Sequence, residues 1–170
     1  MRKEDGFTII ELLVASIIIA VVTTLGAYAI SHYSKLRALE GSTNEVITEL
    51  RAMQQDAGSR SHPWVSGVYF KAGTNRWGIV EGNIKTGVCT RKAARTFPAG
   101  VTVSTATFSD IATQSLTANC TTAAESGAEV VLFFARGSAT SGSMSLVHPN
   151  VGSGARTLTV SPITGRVTRS

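Results

Sequence analysis

Signatures of catalysis and of metal binding are largely missing from this chain. Its three histidines, His32, His62 and His148, are scattered, and the two cysteines show no Cys-x-x-Cys spacing, so the sequence assembles no set of metal ligands. The glycine spacing of residues 137–143 matches a phosphate loop, but Ser143 stands where such a loop needs a lysine. Carboxylates in the second half are few and far apart, and no serine lies in a nucleophile-elbow pattern. These absences argue against an enzyme and against a metal or other cofactor.

Charge is nearly absent from residues 7–30. Glu11 is the only charged side chain there, and a carboxylate near the centre of a bilayer costs about 2.5 to 3.5 kcal/mol. At a rise of about 1.5 Å per residue, this stretch forms a helix that can cross a hydrocarbon layer of about 30 Å. The residues before Phe7 are too few for a secretory signal with its own apolar core. The sequence therefore predicts a membrane-spanning helix in which Glu11 needs a partner.

Proline is absent before Pro63, so no proline ends this helix at the membrane edge. Beyond Ile30, apolar residues recur at spacings of three and four with charged residues between them, which predicts an amphipathic helix. These apolar residues are Tyr33, Leu36, Leu39, Val46, Ile47, Leu50 and Met53. We expect the helix to run to about Asp56, to end near Gly58 and to pack its apolar stripe beneath a β-sheet.

The N-terminal residues carry a specific motif. A short leader ends at Gly6, and Phe7-Thr8-Ile9-Ile10-Glu11-Leu12-Leu13-Val14 opens the apolar run. This pattern resembles the class III signal of type IV pilins and of type II secretion pseudopilins. The resemblance implies that a prepilin peptidase cuts after Gly6 and methylates the new terminal Phe7. It also implies that Glu11 pairs with the Phe7 amine of a neighbouring subunit during assembly, although the amine of its own chain, one helical turn away, is an alternative partner.

From Pro63 onward the pattern changes to period two with β-branched residues, which is typical of strands. Residues 65–70 and 76–81, joined by a turn at 71–75, indicate a hairpin. Further strands are predicted at residues 87–91, 101–108, 130–135, 144–148, 156–161 and 166–168. The stretches 101–122 and 137–154 are rich in Ser and Thr, and we expect them to be exposed, variable and flexible.

Together these elements predict an α+β fold: a long N-terminal helix, with a transmembrane half and an amphipathic half, packed on an antiparallel β-sheet head. We expect a leader at residues 1–6, the transmembrane and filament-core helix at 7–30, the amphipathic helix at 31–58 and the globular head at 59–170. A chain of 170 residues has room for one anchor helix and one modest soluble domain.

Four segments of the head resemble, in order, parts of GspH/FimT-type minor pilins and minor pseudopilins. They are residues 67–70, 95–101, 134–138 and 158–167. In that family the last strand ends in Gly-Arg-x-Arg, whereas here Gly165-Arg166-Val167-Thr168-Arg169 moves the second arginine by one position. That shift puts Arg169 on the other face of an extended strand.

The head is basic. Residues 57–170 contain eleven basic and four acidic residues, a formal charge of +7. Such a head indicates acidic partners, although solubility and solvated loops explain the same charge. The C-terminal tail resembles the arginine motif of DNA-uptake minor pilins. This implies weak phosphate contacts, without sequence preference, from Arg166 and Arg169, and the bases that are expected to help are Arg156 or the cluster Lys85, Arg91, Lys92 and Arg95.

Cys89 and Cys120 are the only cysteines. In a head exported beyond the cytoplasmic membrane, two thiols most simply form one disulfide, which contributes about 3 to 4 kcal/mol by closing a loop of this length. Two separate buried thiols are the alternative.

The sequence thus predicts a pilin-like structural subunit that is assembled into a type IV pilus as a minor pilin. One alternative is a minor pseudopilin of type II secretion, and another is a DNA-binding minor pilin used in DNA uptake. The expected partners are other pilin subunits, the prepilin peptidase, the pilus or secretion assembly platform in the inner membrane and, under the last hypothesis, DNA. We expect a single pass through the cytoplasmic membrane with the N-terminus inside, followed by a place in an extracellular pilus or a periplasmic pseudopilus.

Overall fold

The computed structural model describes residues 8–109, 114–152 and 154–170. Its elements, in chain order, are α1 (Ile9–Ser59), β1 (Trp64–Phe70), β2 (Arg76–Asn83), β3 (Val88–Thr96), β4 (Thr102–Ser109), α2 (Gln114–Ala124), β5 (Glu129–Phe134), β6 (Ser141–Val147), β7 (Arg156–Val160) and β8 (Val167–Arg169). The chain divides into two compact units, Met1–Ser34 and Lys35–Ser170. The predicted α+β class, a long N-terminal helix with antiparallel sheets, is confirmed.

In the first unit, α1 presents apolar side chains on all sides. Ile9, Leu12, Leu25 and Ile30 are each at least 67% exposed. Among the described residues, α1 is the one helix that is long and apolar enough to cross a membrane, and none of its apolar stretch is buried. A helix that is apolar all round is stable only where something other than water surrounds it.

The second unit contains two four-stranded antiparallel sheets in its described part. The first has the order β3-β2-β1-β5 and the second the order β4-β6-β7-β8. The predicted hairpin is confirmed, since β1 pairs with β2 in a register that sets Phe70 opposite Trp77. Its turn includes Gly73, whose φ of 74° favours glycine.

The main core joins α1 to both sheets. Leu39, Val46 and Leu50 of α1 are fully buried in one cluster with Phe70 of the first sheet and Leu146 of the second. The sequence predicted one sheet over the helix, and the structure has two that share this core. Tyr33, which was expected in the apolar stripe, is 62% exposed, and the stripe instead includes buried Ser42 and Thr43. Both hydroxyls donate to carbonyls one turn earlier, of Ala38 and Leu39, so their burial leaves no donor unpaired.

The prediction that residues 101–122 are exposed is wrong for one face of the helix α2. This helix covers the face of the first sheet that is turned away from α1. Leu116, Cys120 and Ala124, spaced by four residues, are buried against Tyr69 and Val80. Three small or apolar residues among many Ser and Thr give a weak signal, and contact with the sheet supplies the burial that stabilises α2.

Candidate functional site

The N-terminus of α1 is closed by a reciprocal set of hydrogen bonds between Thr8 and Glu11. The Thr8 backbone N–H and its hydroxyl donate to Oε2 of Glu11 over 3.0 and 2.9 Å. In return, the Glu11 N–H donates to the Thr8 hydroxyl over 3.3 Å. This is a capping box, which pairs amides that the first turn of a helix leaves free. The Thr-x-x-Glu spacing of the motif is therefore also a local signal for the start of the helix.

The Ser and Thr side chains that follow Glu11 in the apolar segment form hydrogen bonds within the helix. Ser16 donates to the Leu13 carbonyl, and Thr23 and Thr24 both donate to the Ala20 carbonyl. Such bonds remove the need for outside partners. Glu11 is the one charged side chain in the described part of the apolar segment. The hydrogen bonds that its carboxylate accepts within the chain both go to one oxygen, Oε2.

The predicted processing residues Gly6 and Phe7 lie outside the described residues. The predicted assembly residue Glu11 lies at the first turn of α1, in an exposed position.

The two cysteines are joined in a disulfide that links β3 to α2. The Cα atoms of Cys89 and Cys120 are 4.9 Å apart. Two further contacts hold the same helix: the Asn119 side-chain amide donates to the Gly87 carbonyl over 2.8 Å, and Arg91 donates to the Ala124 carbonyl over 3.1 Å. The disulfide is thus one of several attachments of α2 to the sheet.

Two of the three C-terminal arginines converge on one carboxylate of α1. Nη2 of Arg156 lies 3.4 Å from Oε1 of Glu40, and Nη2 of Arg169 lies 3.6 Å from the same oxygen. Nε of Arg156 is buried and makes no hydrogen bond to the described residues. Arg166 is exposed. A phosphate that bound Arg156 or Arg169 would have to compete with Glu40.

Three of the four bases predicted as a cluster at residues 85–95, namely Arg91, Lys92 and Arg95, contact separate partners. Lys92 pairs with Glu81 at 3.1 Å, and Arg95 pairs with Glu49 at 3.0 Å. The Arg95 guanidinium also lies 5.2 Å from the centre of the Trp77 ring, a cation–π contact. Arg91 caps α2 as described above. The cluster therefore contributes mainly to contacts between elements of the head.

Sequence reasoning missed that two acids of the head, Glu125 and Glu81, each pair with two cations. Glu125 Oε1 accepts from Lys71 at 2.8 Å and from Arg76 at 2.7 Å. These hydrogen bonds, first from Lys71 and then from Arg76, hold the pKa of Glu125 below its ordinary value. Glu81 pairs with Arg60 and Lys92. The hydrogen bond that Arg60 donates to Glu81 is the main cause of the raised pKa of Arg60. No spacing in the sequence signals these pairs.

A family model described as the prokaryotic N-terminal methylation motif matches residues 1–27. No curated protein and no solved structure matches the chain. The match supports a type IV pilin-like or pseudopilin subunit. It implies a structural subunit, assembly with other pilin subunits and processing by a prepilin peptidase. With the apolar helix α1, it fits a precursor that is anchored in the inner membrane.

Proposed function

We propose that this chain is a minor pilin, cut after Gly6 and assembled into a type IV pilus through α1. The observation that carries the proposal is a single carboxylate, Glu11, at the start of the apolar segment of α1, whose side chains from Ile9 to Ile30 are all exposed. Exposed apolar surface of this extent has to be shielded from water. In this proposal lipid shields it first, and the same helices of other subunits shield it after assembly.

Glu11 is arranged so that it can meet a second subunit without giving up its own cap. Thr8 occupies Oε2, which leaves Oε1 for the Phe7 amine of a neighbour. Charge pairing in an apolar surrounding is strong, and an unpaired carboxylate there is costly. Subunits are therefore most stable in the register that brings each terminal amine to a Glu11.

The head, in this proposal, is of the GspH/FimT type. Two of the four family-like segments meet in space, because Gly165 lies against the Gly137 carbonyl. The N–H of Ala139, the residue after the segment 134–138, donates to the Pro162 carbonyl over 3.0 Å. Gln54 of α1 donates to the Thr164 carbonyl over 2.9 Å. These turns join both sheets to α1. The residues that they share with GspH/FimT-type heads therefore support the same architecture for this head.

The test of assembly is Glu11→Val, with Ser16→Val as the matched control in the same helix. Both variants should insert in the membrane, because removing a polar group makes an apolar helix easier to insert. Mass spectrometry of the extracted parent should find a chain that starts at a methylated Phe7. Filament incorporation should fall sharply for Glu11→Val and stay normal for Ser16→Val. Normal incorporation of Glu11→Val, or an intact Met1 terminus in cells with active peptidase, would contradict the proposal.

The alternative within the same machinery is a minor pseudopilin of type II secretion. Deleting the gene separates the two, because loss of pili with normal protein export supports the pilin, whereas loss of export with normal pili supports the pseudopilin.

A second candidate function is weak DNA binding by Arg156, Arg166 and Arg169. One observation favours it: Glu40 balances only one of the two charges of Arg156 and Arg169, so this end of the second sheet stays positive. Such binding would be independent of sequence and would weaken with salt.

A further inference from the structure

The second unit exposes few large apolar side chains in its described part, and two of them share one pocket. Trp64, Val88 and Ile163 are 45%, 58% and 82% exposed. Trp64 and Val88 line a pocket of about 460 Å³, a size typical of small-ligand sites. The remaining lining residues are Arg60, Glu81, Asn83, Thr86, Thr90 and Lys92.

The strand register places these residues in rows on one face of the first sheet. Trp64 lies opposite Asn83, and Asn83 lies opposite Val88, so the three form a row across β1, β2 and β3. Because neighbouring strands are about 4.8 Å apart, this row is about 10 Å wide. Glu81 and Thr90 form the next row on the same face.

The face is open at this end because the main core does not reach it. Val68 and Phe70 point to the same side of β1 as Trp64 and are fully buried with Leu50 of α1. The helix α1 ends at Ser59, and the chain enters β1 at Trp64. An indole that is nearly half exposed is thus presented at the end of the first sheet where β1 begins.

The polar groups around Trp64 are held in place and balance each other in charge. Glu81 is paired with Arg60 and Lys92, each at 3.1 Å, and Arg60 also pairs with Asp56 at 3.1 Å. These two cations and two carboxylates carry no net charge. Oδ1 of Asn83 accepts from the N–H groups of Lys85 and Thr86, which directs the donor end of its amide away from that turn.

We propose that this pocket binds a neutral sugar ring of a glycan, stacked on Trp64. A pyranose has an apolar C–H face that suits an aromatic ring, and hydroxyl groups that suit a fixed set of donors and acceptors. The neutral network gives no reason to prefer an anion. An apolar side chain from a protein partner would cover Glu81, Asn83 and Lys92 without offering them hydrogen bonds, which is unfavourable. Side chains that are already held lose little freedom on binding.

This inference goes beyond the proposed function and does not depend on Glu11. A minor subunit with such a pocket would place a glycan-binding surface on its filament.

The test uses the full-length protein in a detergent that has no sugar headgroup, with acrylamide quenching of tryptophan fluorescence. Acrylamide should quench Trp64 and leave Trp77, which is fully buried, unaffected. The probes are the hexamers of maltose-type glucan, cellulose and chitin, with polygalacturonate as the charged comparison. At least one neutral hexamer should protect Trp64, and raising the salt concentration should leave the protection unchanged.

Calorimetry then measures the affinity of the same hexamer for four variants. Trp64→Ala should weaken it by at least about tenfold, and Trp64→Phe, which keeps a ring, should weaken it less. Thr90→Val should weaken it by roughly threefold to tenfold, because one hydrogen bond is lost. Ile163→Ala, the exposed apolar residue outside the pocket, should bind like the parent. Shielded Trp77 emission in the Trp64 variants shows that the head is still folded.

Three results would overturn the proposal. The first is that no neutral hexamer at millimolar concentration protects Trp64, or that Trp64→Ala binds it like the parent. The second is that polygalacturonate alone protects Trp64 and that salt abolishes this protection, which would show that the pocket binds an anion. The third is protection that grows with protein concentration in the absence of sugar, which would assign the patch to a second copy of the chain.

Discussion

Glu11 and Thr8 form a capping box that starts α1. In the proposed assembly, the same carboxylate also pairs with the Phe7 amine of a second subunit. Replacing Thr8 therefore separates the two roles, because it removes the cap while leaving Glu11 in place.

We expect Thr8→Val to destabilise the first turn of α1 by about 1 kcal/mol, the usual cost of losing a capping side chain. Amides at residues 9–13 should exchange faster with deuterium in detergent micelles, and membrane insertion should be unchanged. Thr24→Val is the control, because the Thr24 hydroxyl bonds only to helix carbonyls in its own segment. Equal exchange in the parent and Thr8→Val would show that the cap contributes nothing.

Glu125 gives the head a dependence on pH. Lys71 and Arg76 lower its pKa, so its folded pKa lies below the unfolded one. Its contribution to stability is therefore present above the unfolded pKa and is lost as the pH falls through the folded pKa. We expect Glu125→Gln to melt below the parent at neutral pH and the two to converge in acid. Glu45→Gln is the control, because Glu45 is 47% exposed and 4.0 Å from its nearest cation. A difference that persists unchanged in acid would contradict this assignment.

The helix α2 depends on its attachments to the first sheet. It has no charged residue in its first or last turn, and its sequence is rich in Thr and Ala. The disulfide, the Asn119 amide and Arg91 hold it over Tyr69 and Val80. Without these contacts a helix of 11 residues is marginal in water.

We expect the double variant Cys89→Ser and Cys120→Ser to lower the stability of the full-length protein by about 3 kcal/mol, the cost typical of losing a disulfide that closes a loop of this length. Thermal melting in micelles measures the change, and non-reducing peptide mapping of the parent should find the two cysteine peptides linked. The variant under reducing conditions is the control, since its melting should not respond to reductant. Two freely alkylatable thiols in the folded parent would refute the pairing.

Across the whole molecule, most of the basic side chains of the head form ion pairs within the chain. Arg60, Lys71, Arg76, Lys92, Arg95, Arg156 and Arg169 all have an acidic partner within 4.0 Å. A formal charge of +7 therefore overstates how many cations are available to a polyanion.

The DNA candidate can be tested with the full-length protein in micelles and duplex DNA at low and moderate salt. We expect weak binding that falls with salt, and a log–log salt slope that is flatter by about one for Arg166→Ala and for Arg169→Ala. Glu40→Gln should bind more tightly than the parent, because it releases Arg156 and Arg169. Arg136→Ala is the comparison for a basic residue outside this group. Absence of salt-sensitive binding, or equal binding by all variants, would remove DNA as a partner.

The sequence by itself determined the N-terminal helix, its capping motif and the first hairpin. Each of these rests on residues a few positions apart: Thr8 with Glu11, the apolar spacing of α1, and a turn between two alternating runs. Local interactions of this kind can be read along the chain. The tertiary structure decided the division into two sheets, the helix α2, the partners of the arginines and the pocket beside Trp64. These depend on residues far apart in sequence, such as Arg156 with Glu40 at a separation of 116 and Lys71 with Glu125 at a separation of 54. Only packing of the sheets against α1 and α2 brings such side chains together, and no local pattern encodes their distance.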